Sequence, residues 1–147
     1  MKKNNINIIA IVTALTLLLL SEAAFSDTAI HVGAFSYHII TGHKNDYNSN
    51  HKLVAVEHNK IFVGRFSNSY HRTTTVAAYG FERQWGDWRG VVYIGAVRGY
   101  RSCFGDGGHE AVICPVLVPT LHYTKYRVQP GILLLGEAVA FSLRMTL

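Results

Sequence analysis

Residues Phe66 to Trp85 read FSNSYHRTTTVAAYGFERQW. From Thr73 onward, Thr75, Ala77, Tyr79 and Phe81 fall on one side of an extended chain, and Val76, Ala78, Gly80 and Glu82 fall on the other. Alternation with period two marks a strand, and its aromatic side reads as the outer one. Ahead of it, the polar corner from Ser69 to Arg72, beside Asn68, closes an earlier strand. A hydroxyl at such a corner stands at a rim, where a rigid scaffold places chemistry.

The same rhythm continues in both directions. Upstream, Phe35, Tyr37 and Ile39 alternate with Ala34, Ser36 and His38, giving a first strand over His31 to Ile39. The polar run Gly42 to His51 reads as a loop, Lys52 to Glu57 as a second strand, His58 to Lys60 as a tight turn, and Ile61 to Asn68 as a third strand. The fourth strand is Thr73 to Glu82. Downstream of a turn over Arg83 to Asp87, flanked by Trp85 and Trp88, the fifth strand runs from Trp88 to Tyr100. A glycine-rich loop spans Arg101 to Ala111; its Gly105-Asp106-Gly107-Gly108 matches no phosphate-binding motif. The sixth strand, Val112 to Leu121, contains Pro115 and Pro119, which cannot donate to a ladder and therefore belong where pairing is broken. His122 to Leu135 is a poorly bounded seventh strand. In the eighth, Phe141, Leu143, Met145 and Leu147 alternate with Ala140, Ser142, Arg144 and Thr146.

The fold class expected is therefore all-β, an eight-stranded antiparallel barrel. The even strand count suits an outer-membrane barrel, with long loops outside and short turns in the periplasm. A soluble lipocalin-like or streptavidin-like barrel shares the alternation and is the structural rival. On the membrane reading the Ser69 corner and the loop after His38 share the outer side.

The chain has 147 residues, enough for one domain. Lys2 and Lys3, the apolar run Ile6 to Leu20 and the small residues Ala24 and Ser26 describe a secretory signal, residues 1–26, cleaved after Ser26. The alternative is an uncleaved anchor, for which the run is short. The expected mature domain is residues 27–147. It retains 12 basic and 8 acidic residues once Lys2, Lys3 and Glu22 are removed. A basic exported protein with no Lys/Arg-rich run meets anionic lipid or glycolipid rather than nucleic acid. No later stretch is long enough for a spanning helix. In an oxidising compartment Cys103 and Cys114 pair across a separation of eleven residues; the other reading is two separate buried thiols. The histidines show no metal-ligand spacing, so no metal and no cofactor are expected.

His38 and Ser69 lie at the same rim on strands one and three, where a histidine can serve as base and a serine as nucleophile or orienting hydroxyl. The plain alternative is two polar residues at a water boundary. The order of motifs adds to this. The corner and strand of FSNSYHRTTTVAAYGFERQW, with Tyr37-His38 and Tyr47-Asn48 before it and CPVLVP at Cys114 to Pro119 after it, resemble the outer-membrane lipid A palmitoyltransferases, the PagP family. The similarity covers most of Phe35 to Pro130, and only the corner is specific.

That resemblance implies transfer of a palmitoyl chain from a phospholipid to lipid A or another glycolipid by a monomeric barrel. Carried over by position, His38 is the base, Ser69 the hydroxyl, and Asn68 stands where the family has Asp. A neutral amide can orient an imidazole but cannot stabilise its charged form. Asp46 in the first loop is a substitute source of charge. The resemblance also makes Gly80, with Ala78 and Val76, the lining of the acyl pocket, although small residues are also needed wherever a small barrel closes tightly. It makes Pro115 and Pro119 the flanks of a lateral opening for lipid. The rival function is a non-catalytic barrel of the same fold that binds lipid or shields a surface receptor.

Overall fold

A computed structural model describes residues 28–39, 47–103 and 112–147. The expected signal segment, Asp46 and the glycine-rich stretch 104–111 lie outside the described residues.

Eight strands form a closed, all-antiparallel barrel in which each strand pairs with its sequence neighbours and the last returns to the first. They are β1 (Thr28–His38), β2 (Val54–His58), β3 (Ile61–Ser67), β4 (Thr73–Trp85), β5 (Trp88–Tyr100), β6 (Val112–Tyr123), β7 (Val128–Leu135) and β8 (Ala138–Thr146). Closure leaves no strand without a partner on each side. No helix among the described residues is long and apolar enough to cross a membrane, which says nothing of a barrel's strands.

The ends differ from the expected ones where a turn is tighter than its composition suggests. β4 continues through Trp85 because Gly86 (φ +51°) and Asp87 alone make the reversal, setting Trp85 opposite Trp88. The β2–β3 hairpin turns on Asn59 and Lys60, both with positive φ. This is the two-residue arrangement whose twist matches antiparallel strands. His122 belongs to β6, and β7 begins only at Val128. In β1, Gly33 (φ +63°) sits at a register shift between Val32 and Ala34. That bulge lets His31 and Ala34, three apart, both point inward.

The outside is apolar and the interior mixes apolar with charged and polar side chains. Phe35, Tyr37, Val54, Val56, Ile61, Val63, Phe81, Ile113 and Phe141 are exposed around the outside, while Glu57, Arg89, Arg144, His31 and His122 are buried within. At the end that carries the short turns, Trp88, Tyr123 and Tyr126 form a chain of ring contacts at 5.0 and 6.2 Å. At the other end lie the corner 68–72, the connection after Tyr100 and the short turn Gly136–Glu137. This last turn is an exception to the expected rule that the loop end carries only long connections.

Two ladders are incomplete. Above Val32, β1 is sealed against the segment before β2 by bonds Gly33 N–Leu53 O, His51 N–Ala34 O and Ser36 N–Ser49 O of 2.8 to 2.9 Å. Between β6 and β7 pairing is confined to Thr120–Leu133, Leu121–Ile132 and His122–Gly131. The β5–β6 ladder, in contrast, runs past both Pro115 and Pro119. The side wall is thus unladdered from Val112 to Pro119 on the β7 side.

Close packing inside constrains small residues. A Cβ at Gly95 would meet the Ala77 carbonyl oxygen at 2.1 Å and the Ala78 Cα at 2.5 Å. Gly95→Ala is therefore expected to destabilise the barrel by about 1–3 kcal/mol, read as a lower unfolding midpoint in urea.

Candidate active site

The corner that follows β3 is built around Asn68, which is fully buried. Its Oδ1 accepts from the Tyr70 and Arg72 backbone N–H groups at 2.9 and 3.0 Å. Its Nδ2 donates to Thr74 Oγ1 at 3.0 Å and to the Gly99 carbonyl at 3.2 Å. Every hydrogen-bonding position of the amide is used. Asn48 pins the same corner from the first loop, donating through Nδ2 to Ser67 Oγ and through its backbone N–H to the Ser69 carbonyl. The corner is rigid because two side-chain amides replace the backbone partners it lacks.

This rigidity aims Ser69. Its hydroxyl lies 3.4 Å from His38 Nε2, at the end of β1 and 31 residues away in sequence. The other ring nitrogen, Nδ1, faces Glu137 Oε1 at 3.6 Å, an ion-pair distance longer than a hydrogen bond. Glu137 reaches His38 because closure of the barrel pairs His38 with Ala138; the Ile39 N–H also donates to the Glu137 carbonyl at 3.1 Å. Tyr47 stacks on the imidazole, with centroids 4.4 Å apart and planes 25° apart. Nδ1 makes no hydrogen bond among the described residues; a proton placed there, toward the carboxylate, would leave the Nε2 lone pair for the Ser69 hydroxyl. That is the tautomer a general base requires.

The structure thus brings His38 and Ser69 together and places Asn68 elsewhere. The acid beside the histidine is Glu137, which the reading of the sequence did not single out. Asn68 is a clamp rather than a third member of the site, since its amide is spent on the corner. Asn68→Asp removes two donated bonds and buries a charge, so it is expected to cost about 2–3 kcal/mol without raising any activity. Urea unfolding and a transfer assay check the two halves of that statement.

Nearby, His51 lies in the connection ahead of β2. Its Nδ1 donates to the Ser67 carbonyl at 2.7 Å, and Ser36 Oγ lies 2.6 Å from its Nε2. Burial lowers the His51 pKa, against the raising effect of the Ser67 bond and with a smaller lowering by His38. The neutral ring accepts the Ser36 hydroxyl proton and ties the corner to β1.

Below the rim the barrel encloses a cavity of about 510 Å³, within the usual range of small-molecule sites. His38 and Ser69 stand at its mouth, and Leu53, Phe62, Phe66, Val76, Ala78 and Val97 contribute apolar wall. Pro115 lines it beside the unladdered β6 wall, and Pro119 does not. Gly80 does not line it either, in contrast to the expectation from sequence. Tyr93 is its register partner on β5, and a Cβ at Gly80 would meet that ring at 3.1 Å. The space above Gly80 is therefore filled by Tyr93 and by Val91, whose Cγ1 such a Cβ would meet at 3.0 Å. Cys103 and Cys114 form a disulfide joining the chain after β5 to β6.

The turn end of the interior is plugged by a charged network. Glu57 accepts from Tyr93 Oη at 2.8 Å and pairs with His31 Nε2 at 2.8 Å, with Arg89, and with Arg144 Nε at 3.4 Å. Arg89 also bonds Glu82 at 2.6 Å, and Arg144 bonds Gln129 at 2.7 Å. Glu57 thus faces both buried guanidiniums, and Arg89 has a second partner in Glu82, which is exposed at the barrel end and also lies 3.9 Å from Lys60 Nζ. The arrangement closes the barrel into a cup. Among the described residues no group of three His, Cys, Asp or Glu side chains is placed to hold a metal ion.

A comparison with protein-family models finds none that matches this chain, and a comparison with curated protein sequences finds no match.

Proposed function

We propose that the chain is an outer-membrane acyltransferase that moves a fatty acyl chain, palmitoyl by the motif resemblance, from a phospholipid to lipid A. One observation carries this reading: the Ser69 hydroxyl lies 3.4 Å from His38 Nε2, with Glu137 3.6 Å from Nδ1, at the mouth of a cavity whose wall is partly apolar. The membrane setting is supported by the apolar exterior and the aromatic group at the turn end. It also fits the amino-terminal segment that reads as an export signal. The unladdered wall between β6 and β7 offers a path for lipid from the side.

The chemistry follows from the geometry. His38 Nε2 takes the Ser69 proton as Oγ attacks the phospholipid ester carbonyl. Collapse of the tetrahedral adduct breaks the ester bond, and His38 returns the proton to the departing lysophospholipid hydroxyl. A lipid A hydroxyl, deprotonated by His38, then attacks the acyl-serine, forming the new ester, and the proton returns to Ser69. Glu137 stabilises the imidazolium in both halves. The acyl chain occupies the cavity while its carbonyl stays at the rim.

Incubating the folded barrel with phospholipid vesicles and lipid A tests this. Lysophospholipid and acylated lipid A are expected in equal amounts. A non-catalytic lipid-binding barrel is the second reading, carried by the cavity alone; it leaves both products absent while lipid remains bound.

A further inference from the structure

The deep end of the cavity does not match its walls. There His122, which is fully buried, and Ser142, 6% exposed, turn inward with Thr120. Neither ring nitrogen of His122 nor the Ser142 hydroxyl has a hydrogen-bond partner among the described residues. The two occupy one row across the sheet: His122 on β6 pairs with Gly131 on β7, and Gly131 pairs with Ser142 on β8. Gly131 makes the row possible, because a Cβ there would meet the His122 ring at 2.4 Å from Nδ1. The imidazole therefore lies across β7, on the side where Ser142 stands. His31 faces it edge-on at 5.7 Å, but His31 Nε2 is already committed to Glu57.

An unmet buried donor or acceptor costs about 1–3 kcal/mol, and buried polar side chains in folded proteins nearly always have partners. A cluster of three such atoms at the end of a cavity walled above it by Leu53, Phe62, Val76 and Ala78 is therefore a receptor for a hydrogen-bonding group. The group is neutral, because His122 and Ser142, buried and without ion-pair partners, offer no charge to pair with an ion. A hydroxyl meets two of the three atoms: it donates to the unprotonated His122 nitrogen and accepts from Ser142 Oγ–H.

We propose that His122 and Ser142 form a binding site for a hydroxyl at the far end of a long-chain amphiphile, so that the cavity prefers a terminally hydroxylated fatty acyl chain to a plain one of equal length. This rests on the reading of the cavity as an acyl site. A site whose buried groups must be paired discriminates strongly against an analogue that leaves them unpaired. Plain chains bind with those atoms unmet or with a water trapped beneath the methyl end.

Equilibrium binding to the full-length barrel in a zwitterionic detergent tests this without any transfer step. The probes are palmitic acid, ω-hydroxypalmitic acid and the dicarboxylic acid of the same length. The hydroxy acid is expected to bind about tenfold more tightly than palmitic acid. That preference is expected to vanish or invert in His122→Leu and to shrink in Ser142→Ala, a small change that keeps the test open should His122→Leu fail to fold. Equal or tighter binding of palmitic acid to the wild type overturns the proposal, as does a preference that survives Ser142→Ala undiminished. Tightest binding of the dicarboxylic acid overturns the choice of a neutral group. Binding of none of the three overturns the proposal even if acyl transfer is observed. A hydroxyl preference without transfer upholds it while removing the catalytic reading.

Discussion

Ser69→Ala is expected to lower acyl transfer by about 10³-fold or more while leaving the barrel folded. The hydroxyl lies 3.4 Å from His38 Nε2. The corner beneath it is held by Asn68 and Asn48 through bonds that do not involve the Ser69 side chain. Removing one oxygen therefore removes the nucleophile and little else. His38→Asn is expected to be equally damaging, and the double variant no worse than either, because the two residues act as a unit. Glu137→Gln is expected to cost less, about 10- to 100-fold, against the roughly 10⁴ of a buried triad aspartate. Glu137 is 37% exposed and 3.6 Å from Nδ1, so solvent already shares its role. Rates of lysophospholipid release measure all four variants, and unchanged heat-modifiable gel mobility verifies the fold.

Glu57→Ala is expected to be the most destabilising single change, by about 3–5 kcal/mol. Its carboxylate is the common partner of His31, Tyr93, Arg89 and Arg144. Truncation strands Arg144 in the interior and leaves Arg89 with Glu82 alone. Much of that penalty is uncompensated charge rather than lost attraction. Combining Glu57→Ala with Arg144→Met is therefore expected to recover part of the loss. Urea unfolding in detergent, followed by tryptophan fluorescence, measures both. A double variant no more stable than Glu57→Ala alone would show that the network contributes through packing and not through charge.

The strand count and the in-out pattern were legible because alternation is local: Thr75, Ala77, Tyr79 and Phe81 announce a face without reference to any other strand. The interior network was not legible. His31, Glu57, Glu82, Arg89, Gln129 and Arg144 come from six strands, and only the ladder registers bring them to one level. Glu137 was missed for the same reason. It sits in a two-residue turn with no motif around it, and it meets His38 only because β8 closes on β1. A cue did exist, since in any closed barrel the last hairpin lies beside the first strand.

Asn68 illustrates the opposite error. The resemblance carried it into the site by position, but residues 68–72 form a turn and its amide is directed into that corner, onto Tyr70, Arg72, Thr74 and Gly99. Gly80 was placed on the correct face but at a depth already taken by Tyr93. Spacing along β4 specifies which side a residue addresses, whereas the size of its neighbour on β5 decides whether space remains.

The mass of lipid A extracted from cells expressing the chain tests the central claim most directly. An increase of one acyl residue, absent from cells expressing Ser69→Ala at equal levels in the membrane, is the expected result. Lipid A of unchanged mass in the wild type, or the same increase with Ser69→Ala, would contradict the account.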